Sequence, residues 1–332
     1  MDTTLVLIIA IVCLALAFDF INGFHDTANA IATSVSTRAL SPRVAIILAA
    51  TMNFVGALTF TGVAKTVTKG IVDPFTLENG SAVVLAALMA AIAWNLITWW
   101  YGIPSSSSHA LIGSIAGAAI AAAGFDALNY SGFIKIIESL VISPFIALAV
   151  GFIIMSLFAI IFKNFNLGKT NRGFRTFQIF TAALQSYSHG TNDAQKAMGI
   201  ITLALIAGGF QSTTDIPEWV RFSAALAMGL GTSIGGWKII KTVGGKIMKL
   251  QPVNGAAADL SSALIIFGFT ALHLPVSTTH VISSAIMGVG AAKRVKGVKW
   301  GVARRIVITW IITLPISALL AGIFYKIVAL FL

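Results

Sequence analysis

Long apolar runs alternate along this chain with short polar clusters and basic loops. The runs Thr4 to Phe18, Val44 to Ala64, Ala82 to Tyr101, Val141 to Phe162, Val220 to Trp237, Ala256 to Leu274 and Ile306 to Leu332 approach or reach the ~20 residues that cross a hydrocarbon core. Others, such as Ala110 to Gly124, are shorter, so long spans and partial ones coexist. The runs are continuous and rich in Ala, Leu and Ile, without the alternation of barrel strands. The pattern predicts an all-α polytopic membrane protein.

Composition agrees. Of 332 residues, 57% are hydrophobic and only 10% charged, against roughly 25% charged in a soluble domain. So few charged groups cannot cover so much apolar surface in water, so the lipid bilayer is part of the solvent. The net charge of +11 raises nucleic acid as a partner, but the basic residues sit in short loops and not on one soluble face. Lys163, Lys169, Arg172 and Arg175 form one basic stretch; Lys293, Arg294, Lys296, Lys299, Arg304 and Arg305 form another. The positive-inside rule places both in the cytoplasm. Acidic residues gather elsewhere, at Asp73 and Glu78, Asp126 and Glu138, and Asp215 and Glu218, in loops expected mostly outside, as is the C-terminus. The single cysteine, Cys13, excludes an intrachain disulfide and a cysteine metal site. The first run lacks the positive start of a signal peptide and reads as an uncleaved span in the cell membrane.

The basic stretch 163–175 divides the chain into halves, 1–162 and 176–332, that carry the same polar signals in the same order. Asn22-Gly23-Phe24-His25-Asp26 is answered by His189-Gly190-Thr191-Asn192-Asp193. Pro104-Ser105-Ser106-Ser107-Ser108-His109 is answered by Pro275-Val276-Ser277-Thr278-Thr279-His280, and Lys65-Thr66-Val67 by Lys241-Thr242-Val243. Duplicated halves with hydrophobic segments interrupted at matching places point to a transport site at the repeat interface.

Each Pro-led cluster should end one segment, at Ile103 or Leu274, and begin a new helix at Ser105 or Val276. In a bilayer such a break survives only where protein or a wet cavity surrounds it. The new helix offers unpaired N–H groups, the positive end of its dipole, and the hydroxyls of Ser105, Ser106, Ser107 and Ser108 or of Ser277, Thr278 and Thr279. That is an anion site without a fixed cation. Capping or helix-to-helix hydrogen bonding is the plainer role for one such cluster; two at matching places favour the anion.

A second constellation holds Asp19, Asn22, Asp26 and Asn29 in the first half and Asn192 and Asp193 in the second. Their oxygens, with freed backbone carbonyls, are hard ligands suited to a small cation. A carboxylate at membrane depth costs ~3 kcal/mol even on the lenient insertion scale, so each, with Asp259, marks a functional place; Asp19 fits a wet interface equally well. All five histidines, His25, His109, His189, His273 and His280, fall in or beside these motifs, yet no closed zinc motif appears and interior roles at helix ends are expected. A Ser-His-Asp hydrolase can be assembled only on paper, since Ser and His are common here, and no enzyme is expected.

At these motifs the sequence resembles the inorganic phosphate transporter (PiT) family. Asn22-Gly23-Phe24-His25-Asp26-Thr27-Ala28-Asn29-Ala30 and His189-Gly190-Thr191-Asn192-Asp193 look like its paired signatures, and Pro275-Val276-Ser277-Thr278-Thr279-His280 like its hairpin sequence. The resemblance implies two inverted-topology repeats meeting at a central substrate site, phosphate uptake coupled to Na⁺ or H⁺, no further cofactor, and often a homodimer. By position, Asp26, Asn29 and Asp193 would serve the cation, the two hydroxyl clusters would hold phosphate, and Asp259 would be an acidic place that accepts from substrate or carries a proton. Two departures stand out: Lys196 where the first-half pattern has Asn29, and Asn53 where related animal proteins have Glu. Na⁺ symport by alternating access is the favoured expectation, H⁺ coupling the runner-up. A channel would not need carboxylates beside its anion site, and a receptor would carry a soluble signalling domain.

Overall fold

The computed structural model describes residues 3–73 and 79–331; Glu78 of the expected acidic group, Leu332 of the last run, and the side chains of Thr27 and Ala28 in the first signature lie outside the described residues. Twelve α-helices account for nearly all of it: α1 (Thr3–Ser36), α2 (Pro42–Ala57), α3 (Gly62–Gly70), α4 (Gly80–Tyr101), α5 (Ser107–Ala123), α6 (Tyr130–Ile161), α7 (Leu167–Ala207), α8 (Glu218–Ile234), α9 (Trp237–Lys241, continued by a π turn at Thr242–Lys246), α10 (Pro252–Ala271), α11 (Thr278–Lys293) and α12 (Trp300–Val328). Five of them, α1, α4, α6, α10 and α12, are long and apolar enough to cross a membrane, and the bent pair α2–α3 makes a sixth crossing if counted as one span.

Several boundaries differ from the sequence expectation for identifiable reasons. The run Val44 to Ala64 is not one straight helix, because the chain turns by 70° between α2 and α3. The first run does not stop at Phe18; α1 continues unbroken through the signature to Ser36, about 50 Å at 1.5 Å per residue. Most of the basic stretch 163–175 is helix, since Asn166 caps α7 by accepting from the amides of Gly168 and Lys169 at 2.9 and 3.2 Å.

Most informative is α7, at 41 residues the longest helix and absent from the apolar runs. Gln178, Thr181, Gln185, Ser188, Asn192 and Gln195 recur along it at alternating steps of three and four, which is one helical face, and all are buried. Asp19, Asn22, Asp26, Asn29 and Thr33 form the same stripe on α1. Polar stripes therefore face the protein interior, and residues 188–204 of α7 are buried on every face. α1 and α7 pack against each other at the centre.

Around them the two halves interlock. α1 lies against α8 and α7 against α2; α5 lies against α12 and α11 against α6. Each contact has a counterpart with the halves exchanged, down to single hydrogen bonds: Asn129 N–H to Ile71 O and Lys299 N–H to Ile247 O, both 2.9 Å. Glycines permit the close crossings. A Cβ on Gly117 of α5 would meet Ala318 O of α12 at 2.1 Å, and one on Gly288 of α11 would meet Leu148 O of α6 at 2.0 Å.

Gly288→Ala should accordingly destabilise the fold by about 2 kcal/mol, the usual scale of overpacking. Gly268→Ala, where an added Cβ meets nothing within 4 Å, should be neutral or stabilising. Thermal unfolding of both variants in detergent checks the contrast.

Candidate functional site

Both expected helix breaks are present, but the helices before them end earlier, and those after them start two residues later, than the prolines alone predict. α4 ends at Tyr101 and turns through Gly102 at φ 64°, with Ile103 N–H on Thr98 O at 2.9 Å. α10 ends at Ala271 and turns through His273 at φ 60°, with Leu274 N–H on Phe269 O at 2.9 Å. Pro104 and Pro275 then lie in extended linkers, and the new helices start at Ser107 and Thr278, not Ser105 and Val276. The start is set by capping. Ser106 Oγ accepts from His109 N–H at 3.1 Å and Ser277 Oγ from His280 N–H at 3.3 Å. The amides of Ser107, Ser108, Thr278 and Thr279 remain as first-turn donors that no carbonyl within their helices can reach.

The two half-helix starts meet. Ser108 Oγ donates to Val276 O at 2.9 Å, and the rings of His109 and His280 lie 4.4 Å apart, with Trp310 stacked on His280 at 4.0 Å. The hydroxyl residues Ser105 to Ser108 and Ser277 to Thr279 are all buried. Asn192 fastens the second break: its Nδ2 donates to Thr270 Oγ1 at 2.9 Å and Leu274 O at 3.2 Å, and its Oδ1 accepts from Val276 N–H at 3.1 Å.

Facing these starts stand the signature carboxylates, at matching places on continuous helices. Asp26 Oδ2 accepts from Ser107 Oγ at 2.7 Å; Asp193 Oδ2 accepts from Thr278 Oγ1 at 3.0 Å. Asp26 Oδ1 also receives His25 Nδ1 at 2.7 Å, Thr279 Oγ1 at 3.2 Å and Asn29 Nδ2 at 3.3 Å. Asn22 Oδ1 shares the Ser107 hydroxyl at 2.7 Å. Asn29 Nδ2 lies 2.7 Å from Thr279 Oγ1, joining first-half signature to second-half cluster. α1 and α7 are unbroken here, so their own backbone carbonyls are held in the helices.

His189 joins the carboxylates, a role the sequence reading missed. Ligand atoms of Asp26, His189 and Asp193 all lie within 4.8 Å of one another. Asn53 Nδ2 donates to Thr232 Oγ1 at 3.0 Å, which turns Asn53 Oδ1 toward His189 Nδ1 at 3.0 Å. That acceptor calls for a proton on Nδ1 and leaves Nε2 facing Asp193 Oδ2 at 3.3 Å, where a proton or a metal ion can lie between them. The available signal was position: His189 precedes Asp193 by one helical turn.

Asp259 is not brought to the hydroxyl clusters; its carboxylate is met by Thr33 Oγ1 at 2.5 Å and by Gln178 Nε2 and Thr181 Oγ1 at 3.4 Å, one turn along α1 from Asn29. Asp19 is fully buried and so does not sit at a wet interface. Of the histidines, His25 and His189 lie mid-helix, while His109 and His280 occupy first turns as expected.

A helical membrane bundle with two facing half-helix starts, hydroxyl-rich and set against buried carboxylates, belongs to the class of polytopic ion transporters. The comparisons make this specific. Residues 22–321 match the model of the phosphate transporter family. A probable low-affinity inorganic phosphate transporter of Bacillus subtilis is 74% identical over 326 residues, 98% of each chain. One of the same description from Rhizobium meliloti is 45% identical over 329 residues, again 98% of each. A solved structure described as the sodium-dependent phosphate transporter aligns with a TM-score of 0.89 at 27% identity, over 98% of this chain and 100% of that one. The chain belongs to the phosphate transporter family.

Asn192→Asp would set a carboxylate oxygen against Leu274 O and lose two donated bonds, a loss of about 2 kcal/mol. Ser277→Ala loses only the cap, about 1 kcal/mol. Denaturation midpoints should fall in that order.

Proposed function

We propose that the chain imports inorganic phosphate across the cell membrane with a cation, Na⁺ favoured, by alternating access between two inverted-topology repeats. Phosphate is held between the half-helix starts by Ser105 to Ser108 and by Ser277, Thr278 and Thr279. The cation is held at the signatures by Asp26, Asn22 and Asn29, with Asp193 and Asn192 adjoining. The observation that carries this reading is the direct bonding of Ser107, Thr278 and Thr279 to Asp26 and Asp193.

A hydroxyl has one proton to donate. Ser107 can give its proton to Asp26 or to phosphate, and Thr278 to Asp193 or to phosphate. A cation on the carboxylates takes up their lone pairs and releases the hydroxyls toward the anion. It also reverses the local field that would repel a phosphate. Cation and phosphate therefore assist each other's binding, by the same factor in both directions. The name of the solved relative supports Na⁺. His189 Nε2 facing Asp193 Oδ2 supports a second reading, in which the coupled ion is a proton shared there.

Replacing both Thr278 and Thr279 with Val keeps shape and removes two donors, and should weaken phosphate binding more than tenfold, at ~1.5 kcal/mol per bond to a charged group. Asp26→Asn should require more Na⁺ for equal phosphate occupancy. Isotherms at several Na⁺ concentrations and pH values decide. Binding that ignores Na⁺ but tightens on acidification replaces Na⁺ with H⁺ as the coupling ion.

A further inference from the structure

The repeat correspondence extends past the signatures to one place where the halves differ in charge. Asn29 follows Asp26 by three positions, and Lys196 follows Asp193 by three. Each bonds the aspartate three positions before it and a group at the second-half break. Asn29 Nδ2 reaches its own Asp26 Oδ1 and, across the break, Thr279 Oγ1. Lys196 Nζ is ion-paired to its own Asp193 Oδ1 and, at the break, donates to Val276 O at 3.0 Å.

What the two side chains offer an ion is opposite. Asn29 Oδ1 is a buried amide oxygen with no hydrogen-bond partner, a lone pair available to a cation. Lys196 has no lone pair when charged; it brings three N–H donors and a positive charge of its own. It is fully buried. An ammonium there is held by acceptors alone, a carboxylate and a carbonyl, and its charge acts also on the buried carboxylate of Asp19.

We infer that the Lys196 ammonium is a built-in substitute for the second of two coupling cations. The first half takes its cation from solution, at Asp26 and Asn29. The second half carries its cation on the chain, on Asp193. The cluster of Asp26, His189 and Asp193 then needs one mobile charge instead of two, and phosphate meets a site already part-neutralised. This inference rests on the cation-coupled reading above, but it concerns the number of ions and not their identity.

Linkage makes the number measurable: the slope of log phosphate affinity against log Na⁺ concentration counts the Na⁺ taken up with phosphate. With Na⁺ coupling the wild-type slope should be about 1 and that of Lys196→Asn about 2, since the new amide oxygen completes a second site like that of Asn29. Lys196→Asn should bind phosphate at least tenfold more weakly at low Na⁺ and recover at high Na⁺, which loss of packing alone would not produce. Lys196→Met supplies neither charge nor oxygen, and should bind weakly at every Na⁺ concentration with the slope unchanged. A wild-type slope near 2, or a Lys196→Asn slope equal to wild type, overturns the inference. Should wild-type binding be indifferent to Na⁺, the Na⁺ reading fails; a slope that nonetheless appears in Lys196→Asn still upholds the built-in cation. Should Lys196→Asn not fold, radioactive Na⁺ counted on wild type at saturating phosphate decides between one ion per chain, as expected, and two, which overturns it.

Discussion

The structure turns on the burial of Asp26 and Asp193 at the centre of a membrane bundle. A bare carboxylate there is too costly to keep, so each oxygen must be met by donors or by positive charge. The donors come from half-helix starts, and a half-helix start needs a helix broken inside the bundle. A broken helix in turn leaves backbone groups that only neighbouring protein can satisfy. Thr98, Asn192 and the interlocked α5–α12 and α11–α6 pairs supply that shelter. Removing the carboxylates would leave the breaks, caps and crossings without a common purpose.

How much of this the sequence discloses depends on whether the signal is local. Pro104 and Pro275 mark the breaks because proline acts on its immediate neighbours, and the matched order of motifs exposes the two halves. The starts at Ser107 and Thr278 are harder to read, since a cap is chosen by which hydroxyl reaches the third amide ahead. α7 escapes an apolar-run search because its buried stripe is polar from Gln178 to Gln195, and only stepping through Gln178, Thr181, Gln185 and Ser188 reveals it. Asp259 falls within an apolar run and so reads as functional, but its partners Thr33, Gln178 and Thr181 come from two other helices. The tautomer of His189 depends on Asn53 and Thr232, both distant in sequence, and is a tertiary fact.

Matching backbones do not impose matching electrostatics. Asp26 is met by His25, Asn29 and Ser107 of its own half and by Thr279 of the other; Asp193 is met by Lys196, His189 and Thr278, all of its own half. A repeat fixes where ligands stand, and single substitutions then fix what they hold. Two unit charges ~5 Å apart interact by about 3 kcal/mol at an effective dielectric of ~20, enough for one lysine to alter ion binding by more than a hundredfold.

A charge fixed to the chain and a charge taken from solution raise phosphate affinity alike, yet they differ in transport work. A bound Na⁺ or proton is delivered on one side and released on the other, so its gradient drives accumulation. In the proposed alternating-access cycle the Lys196 ammonium would travel out and back with the protein and return to its starting place. Its favourable field therefore contributes equally to loading and to rebinding after release, and cancels over the cycle. On the inference that it replaces a mobile ion, this chain gains affinity without consuming a second ion and gives up the concentrating power that ion would have added. The position three residues after the signature aspartate then sets the balance between tight binding and steep uptake, while the surrounding fold stays the same.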